Sequence, residues 1–162
     1  MARLGEMARQ SVLAPLLRVP LFAGLKPLQI TEIARQAERL TFRAGAVITQ
    51  VGRPADGAYL IVAGSAERRA PTGSLFLPDR IEPGSLICEL AMFVEFVPRS
   101  TTVAGERVHC LKITRTALHD QMRSDPSLAR HFEDMFIERL RQAATQLRDV
   151  DRLLEKRAAA VA

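Results

Sequence analysis

Glu89 and Arg99 are the charged residues around which chemistry could be organised. A Pro83-Gly84 pair precedes them, Cys88 stands directly before Glu89, and Glu89-Leu90-Ala91-Met92 could form one helical turn. Arg99 follows Pro98 and opens a row of hydroxyls, Ser100-Thr101-Thr102. An arginine presents a planar fork of donors that matches phosphate oxygens. Free backbone N–H groups in the first turn of a helix, here near Ala91 and Met92, favour an anion. A carboxylate such as Glu89 accepts hydrogen bonds from sugar hydroxyls. Together these groups would receive a phosphorylated sugar. A surface ion pair between Glu89 and Arg99 at two strand ends accounts for the same two residues and remains open at this point.

The rest of the chain supplies elements to position them. Apolar residues at helical spacing predict a helix over 2–18 and a second over about 27–39. From Arg43-Ala44-Gly45 onward, short apolar runs alternate with Gly and Pro. Strands are expected at 47–51, 59–62, 65–70, 75–81, 101–103 and 108–113, the third and fourth framing a hairpin around Pro71-Thr72-Gly73-Ser74. Short strands at regular spacing with turn signals indicate a sandwich or barrel. Pro83-Gly84 suits the centre of a type II turn, where the third residue needs positive φ. A short helix is expected over 114–122. Asp125-Pro126 then reads as an N-cap followed by Pro at the first helical position. Beyond it Phe136, Leu140, Ala143, Leu147, Val150 and Leu154 recur at spacings of 4, 3, 4, 3 and 4. That is a heptad seam suited to a helix–helix contact between two copies.

The ordered landmarks are Val19-Pro20-Leu21-Phe22-Ala23-Gly24-Leu25, Ala44-Gly45, Ile48, Gly52, Asp56, Tyr59-Leu60-Ile61 and Gly64. Pro83-Gly84, Glu89-Leu90-Ala91-Met92 and Pro98-Arg99-Ser100 follow. The series, over about residues 19–155, resembles the cyclic-nucleotide-binding domain of the catabolite activator and nitrate-fumarate regulator superfamily. The resemblance implies an α+β, mainly β fold: an eight-stranded antiparallel, jelly-roll-like β-roll with N-terminal helices and a long C-terminal helix. It divides a single domain, 1–162, into helices at 1–43, the roll at 44–114 with a phosphate-binding cassette at 83–102, and helices at 115–162 with a dimer seam at 136–154. It implies a regulatory domain for cyclic AMP or cyclic GMP, with cyclic AMP favoured by family frequency, and signalling through the C-terminal helix. Arg99 and Ser100 would take the cyclic phosphate, Glu89 the ribose 2′-hydroxyl, and Thr102 would lie near the base. Cys88, Leu90, Ala91 and Thr101 would complete the ligand-binding cassette, and Ala143, Ala144 and Thr145 fall at positions close to the base. Two residues depart from the family pattern. Cys88 replaces a glycine, at a cost of ~1–2 kcal/mol if φ there is positive. Thr101 replaces a small alanine.

Composition bounds the alternatives. Of 162 residues, 48% are hydrophobic and 25% charged, which excludes a disordered or low-complexity chain. The net charge is +5, and the excess lies in residues 1–43, with 7 basic against 3 acidic side chains. Residues 123–162 carry 8 and 7, so no basic stripe marks a DNA-reading helix, and binding of DNA by this chain alone is not expected. Two cysteines fit a reducing compartment, and no apolar run of ~18 residues exists to span a membrane, so a cytoplasmic location is expected. His109, His119 and His131 share no metal-binding spacing, and no catalytic triad, CxxC pair or P-loop is present. Neither enzymatic activity nor a metal is expected. A competing reading is a decayed cassette that serves only as a dimerisation or protein-interaction module. In either case a protein partner could receive the output.

Overall fold

The computed structural model describes residues 13–71, 73 and 78–161. Of the helix expected over 2–18, residues 13–17 are helical and residues 2–12 lie outside the described residues. Helix α1 (Pro27–Gln36) begins with Pro at a position that needs no donor. Gln29 Oε1 accepts the Lys26 N–H at 3.0 Å just ahead of it. Ala37 then turns to extended backbone, φ −66° and ψ 135°.

The helix read as reaching residue 39 therefore ends early, and strand β1 (Glu38–Phe42) lies inside the segment read as helical to residue 43. Leu40 and Phe42 alternate with Thr41 and pack on the core between the sheets. β1 pairs antiparallel with β8, from Glu38 opposite Lys112 to Phe42 opposite Val108. A five-residue apolar alternation beside a helical run is ambiguous in sequence. The distant partner strand resolves it.

Seven further strands follow: β2 (Val47–Thr49), β3 (Gly57–Ala63), β4 (Ala66–Arg69), β5 (Asp79–Ile81), β6 (Leu86–Ile87), β7 (Thr101–Ala104) and β8 (Val108–Thr114). β6 was not among the strands read from sequence. Residues 75–77 of the expected hairpin lie outside the described residues. The eight strands form two antiparallel four-stranded sheets, ordered β1-β8-β3-β6 and β2-β7-β4-β5. The expected eight-stranded antiparallel roll is thus observed.

Layering follows from the apolar pattern. β3 reads Gly-Ala-Tyr-Leu-Ile-Val-Ala, because the first sheet is covered on both faces. Leu60 and Leu111 face the helices, together with Phe22, Ile30, Leu118, Leu128 and Phe132. Ile61, Cys110 and Ile87 of the first sheet pack with Ile48, Ala66 and Ile81 of the second.

Helices α2 (Arg115–Ser124) and α3 (Pro126–Val161) close the chain. The expected cap is present: Asp125 Oδ1 accepts the Ser127 N–H at 3.0 Å. Gln29 Nε2 donates to Asp125 Oδ2 at 2.7 Å, and Gln121 Nε2 donates to the Gln29 carbonyl at 2.9 Å. This polar knot fixes α1, α2 and the start of α3 to one another. Only the first turns of α3 are buried, at Leu128 and Phe132. Beyond Phe136 its apolar residues are exposed: Leu140 by 70%, Leu147 by 67%, Val150 by 51% and Leu154 by 59%.

Candidate functional site

Pro83-Gly84 forms the expected turn, with Gly84 at φ 92° and the Ser85 N–H donating to the Glu82 carbonyl at 3.2 Å. β6 then carries the chain to Cys88, which sits in the left-handed region at φ 56° and ψ 43°. Among the described residues it is the one non-glycine with positive φ. The condition attached to the missing glycine is met, and ~1–2 kcal/mol of backbone strain is held there. The strained corner launches a single 3-10 turn over Glu89–Met92.

That turn does not present all its N–H groups to a ligand. The Ala91 N–H, expected to be open to an anion, donates to the Cys88 carbonyl at 2.9 Å. Ala91 and Met92 are fully buried, and Leu90 is 45% exposed. The turn anchors the cassette to the core more than it offers donors.

Glu89 does not pair with Arg99. Its carboxylate accepts from Arg139 on α3, so the surface-pair explanation of the Glu89–Arg99 spacing does not hold. Arg139 also lies 5.9 Å from the Phe136 ring. Phe93, the residue that ends the 3-10 turn, packs edge-on against Phe132 and Phe136, with centroids 5.0 and 4.9 Å away. The cassette is therefore tied to the long helix by one polar and two aromatic contacts.

Arg99, Ser100, Thr102 and Cys88 line a common cleft of about 290 Å³. Thr49, Arg68, Ile87, Phe96 and Pro98 complete it. Its floor is a row across the second sheet: Thr49 on β2 is opposite Thr102 on β7, and Thr102 is opposite Arg68 on β4. Directly opposed residues share a face, which places two hydroxyls and a guanidinium side by side. The Thr49 hydroxyl oxygen is buried without a hydrogen-bond partner among the described residues. A buried hydroxyl left unpaired costs ~1–3 kcal/mol, and the polar group next to this one is the Cys88 thiol. Burial pushes the Cys88 thiol above the ordinary cysteine range, while the nearby Thr49 hydroxyl and Arg68 guanidinium act in the other direction. A raised thiol gives little nucleophilic thiolate at neutral pH.

Seven expected residues do not line the cleft: Glu89, Leu90 and Ala91 form the 3-10 turn that follows Cys88, and the other four lie elsewhere. Thr101 turns to the other face, where its hydroxyl accepts the Val51 N–H at 3.1 Å. Ala143, Ala144 and Thr145 are exposed on α3, and Thr145 donates to the Arg141 carbonyl at 3.0 Å. None of the three lines the cleft.

Sequence reasoning passed over Thr49, Arg68 and Phe96, which enter the cleft through cross-strand register and the loop before Pro98. Strand alternation places Thr49 and Arg68 on a definite face, but the register that joins them is not written in either strand. Asp56, one of the landmarks, pairs with Lys112 at 2.9 Å, and its carbonyl accepts the Arg115 N–H at 2.7 Å. The Lys112 ammonium holds the Asp56 carboxyl below its usual range. His119 donates through Nε2 to the Phe93 carbonyl at 2.9 Å, and His109 Nδ1 lies 3.0 Å from Thr41 Oγ1. Among the described residues, no three His, Cys, Asp or Glu side chains cluster as metal ligands, and no helix is long and apolar enough to cross a membrane.

The sequence profile described as the cyclic nucleotide-binding domain matches residues 39–125. Over 128 residues the chain is 34% identical to a cyclic nucleotide-gated potassium channel of Mesorhizobium japonicum, covering 78% of this chain and 34% of the channel. Over 137 residues it is 26% identical to a CRP-like cAMP-activated global transcriptional regulator of Mycobacterium tuberculosis, covering 83% of this chain and 61% of the regulator. The chain thus spans about a third of one relative and three-fifths of the other. In fold it matches the N-terminal domain of a transcriptional regulator from Streptomyces coelicolor at a TM-score of 0.76 and 24% identity, covering 82% of this chain and 94% of that one.

Proposed function

We propose, from the fact that this chain belongs to the cyclic nucleotide-binding domain family, that it is a sensor for a cyclic purine mononucleotide and passes the bound state to its long C-terminal helix. The observation that carries this reading is the convergence of Arg99, Ser100, Thr102 and the partnerless Thr49 hydroxyl on one cleft. Arg99 supplies the positive fork for a phosphate, and Ser100 a neighbouring hydroxyl donor. Cyclic AMP is the first ligand to test, because a similar regulator is cAMP-activated by name.

Transmission follows from the contact that Glu89 makes. The family resemblance assigns the ribose hydroxyl to the Glu89 carboxylate, which Arg139 engages here. A ligand that draws on Glu89 therefore weakens the hold on α3 at Arg139, and any movement of the 3-10 turn displaces Phe93 under Phe132 and Phe136. Nucleotide shifts the helix only by its difference in affinity for the two helix positions. The exposed seam of Leu140, Leu147, Val150 and Leu154 is the surface through which a second copy of the chain would read that shift. Ala143, Ala144 and Thr145 lie on the same exposed stretch of helix and would approach the base only if α3 moved over the cleft.

The alternative, an interaction module without nucleotide, draws support from the strained Cys88 in place of glycine. Calorimetric titration with cyclic AMP, cyclic GMP and cyclic di-GMP separates the two. Saturable heat from a mononucleotide, lost in Arg99→Ala, is expected. Heat that survives Arg99→Ala unchanged removes the site assignment, and no heat from any nucleotide favours the interaction module.

A further inference from the structure

Arg68 lines the cleft with no assigned task. It stands on β4 opposite Thr102, one strand beyond the strand that Arg99 and Ser100 lead into. Its Nη1 donates to Asp79 Oδ2 on the edge strand β5 at 3.3 Å, so the carboxylate holds the guanidinium from the side away from β7. That bond uses one of the five N–H donors of the fork. Two guanidiniums, Arg68 and Arg99, therefore share a cleft of about 290 Å³. One cyclic phosphate carries one charge and answers one fork. Among the described residues, the second fork is held by Asp79 through one donor and keeps other donors free for further acceptors on the same ligand.

We infer that Arg68 selects the purine, and that the cleft prefers guanine to adenine. This rests on the cyclic-nucleotide reading above. A guanidinium only donates. Guanine presents two adjacent acceptors, O6 and N7, which an arginine fork meets together. Adenine presents N7 beside the N6 amino group, which is itself a donor, and meets the fork with one acceptor and one clash of donors. The row Thr49–Thr102–Arg68 adds only hydroxyls, which adapt to either purine. The fork is therefore the one group on the cleft floor that distinguishes the two bases. A ligand anchored by its phosphate at Arg99 and extended along that row brings its base to Arg68.

The test is calorimetric titration of the full chain with cyclic GMP, cyclic AMP and cyclic IMP. Cyclic IMP keeps O6 and N7 but lacks the guanine amino group. For the wild type, cyclic GMP and cyclic IMP are expected to bind about 10- to 100-fold tighter than cyclic AMP. Arg68→Ala should bring all three within about threefold. Arg68→Gln, whose amide both donates and accepts and so suits N6 and N7 of adenine, should reverse the order. Thermal melts of both variants report whether the fold is kept. Cyclic AMP binding as tightly as cyclic GMP, cyclic IMP binding as weakly as cyclic AMP, or a preference that survives both variants overturns the role of Arg68. In those cases binding that is lost in Arg99→Ala leaves the cyclic-nucleotide reading standing. No heat from any of the three nucleotides removes that reading and this inference together.

Discussion

At Cys88 a single side chain sets the strain in the cassette. The backbone there is left-handed, and a Cβ in that region costs ~1–2 kcal/mol. Glycine would remove that strain but has more freedom to lose on folding, by ~0.5–1 kcal/mol. Cys88→Gly should therefore raise stability by up to ~1 kcal/mol, seen as a higher urea midpoint with an unchanged slope. A lower midpoint would mean that the thiol's packing beside the inter-sheet core outweighs the strain. Cys88 is the single residue between β6 and the 3-10 turn, and its left-handed backbone makes the corner between them. The cysteine itself was plain in the sequence. Its φ was decided by the two elements on either side.

Helix α3 behaves as two elements on one axis. Its first turns are bound to the core by Leu128 and Phe132, and its remainder touches the domain chiefly through Phe136 and Arg139. The Arg139–Glu89 pair is only half-buried, with side-chain exposures of 44% and 28%, and a pair of that kind contributes ~0.2–1 kcal/mol. Removing it takes away the competitor for Glu89. Arg139→Ala should tighten nucleotide binding by about two- to fivefold by calorimetry, and amide hydrogen exchange after residue 136 should speed up in the free protein. Weaker binding in this variant would mean that Arg139 contacts the ligand rather than competing with it. Periodicity sufficed to outline α3, because an amphipathic stripe bounded by Asp125-Pro126 has no other good solution. β1 was hidden from the same reasoning, since five alternating residues after a helix fit either period until β8 is there to pair with them.

Among the described residues of the whole molecule, six exposed large apolar side chains fall on one element, α3. Leu140, Leu147, Val150, Leu153 and Leu154 lie on one helix with nothing of the described chain over them. An isolated amphipathic helix is marginal in water, and most helical stability comes from packing of its apolar face. A second copy laid along the same seam would cover those side chains by knobs-into-holes packing. Sedimentation velocity should therefore give a dimer for the wild type and a monomer for Leu147→Asp, with the β-roll's thermal transition retained in both. A monomeric wild type would remove the seam as a dimer contact.

Short apolar runs and turn residues indicated a β sandwich or barrel from the sequence alone, spacing and residue type singled out Glu89, Arg99 and Ser100, and the family resemblance implied the roll and added Thr102. Those properties are local: a Pro-Gly turn, a capped helix start and an arginine beside hydroxyls each state their own chemistry. Tertiary structure decided which of these groups meet. It turned Thr101 away from the cleft, gave Glu89 to Arg139 instead of Arg99, and brought Thr49 and Arg68 in beside Thr102. Cross-strand register and helix packing are relations between distant segments, and a one-residue shift in either would expose a different face. The cleft's hydroxyls and its second guanidinium became visible only once the strands were paired.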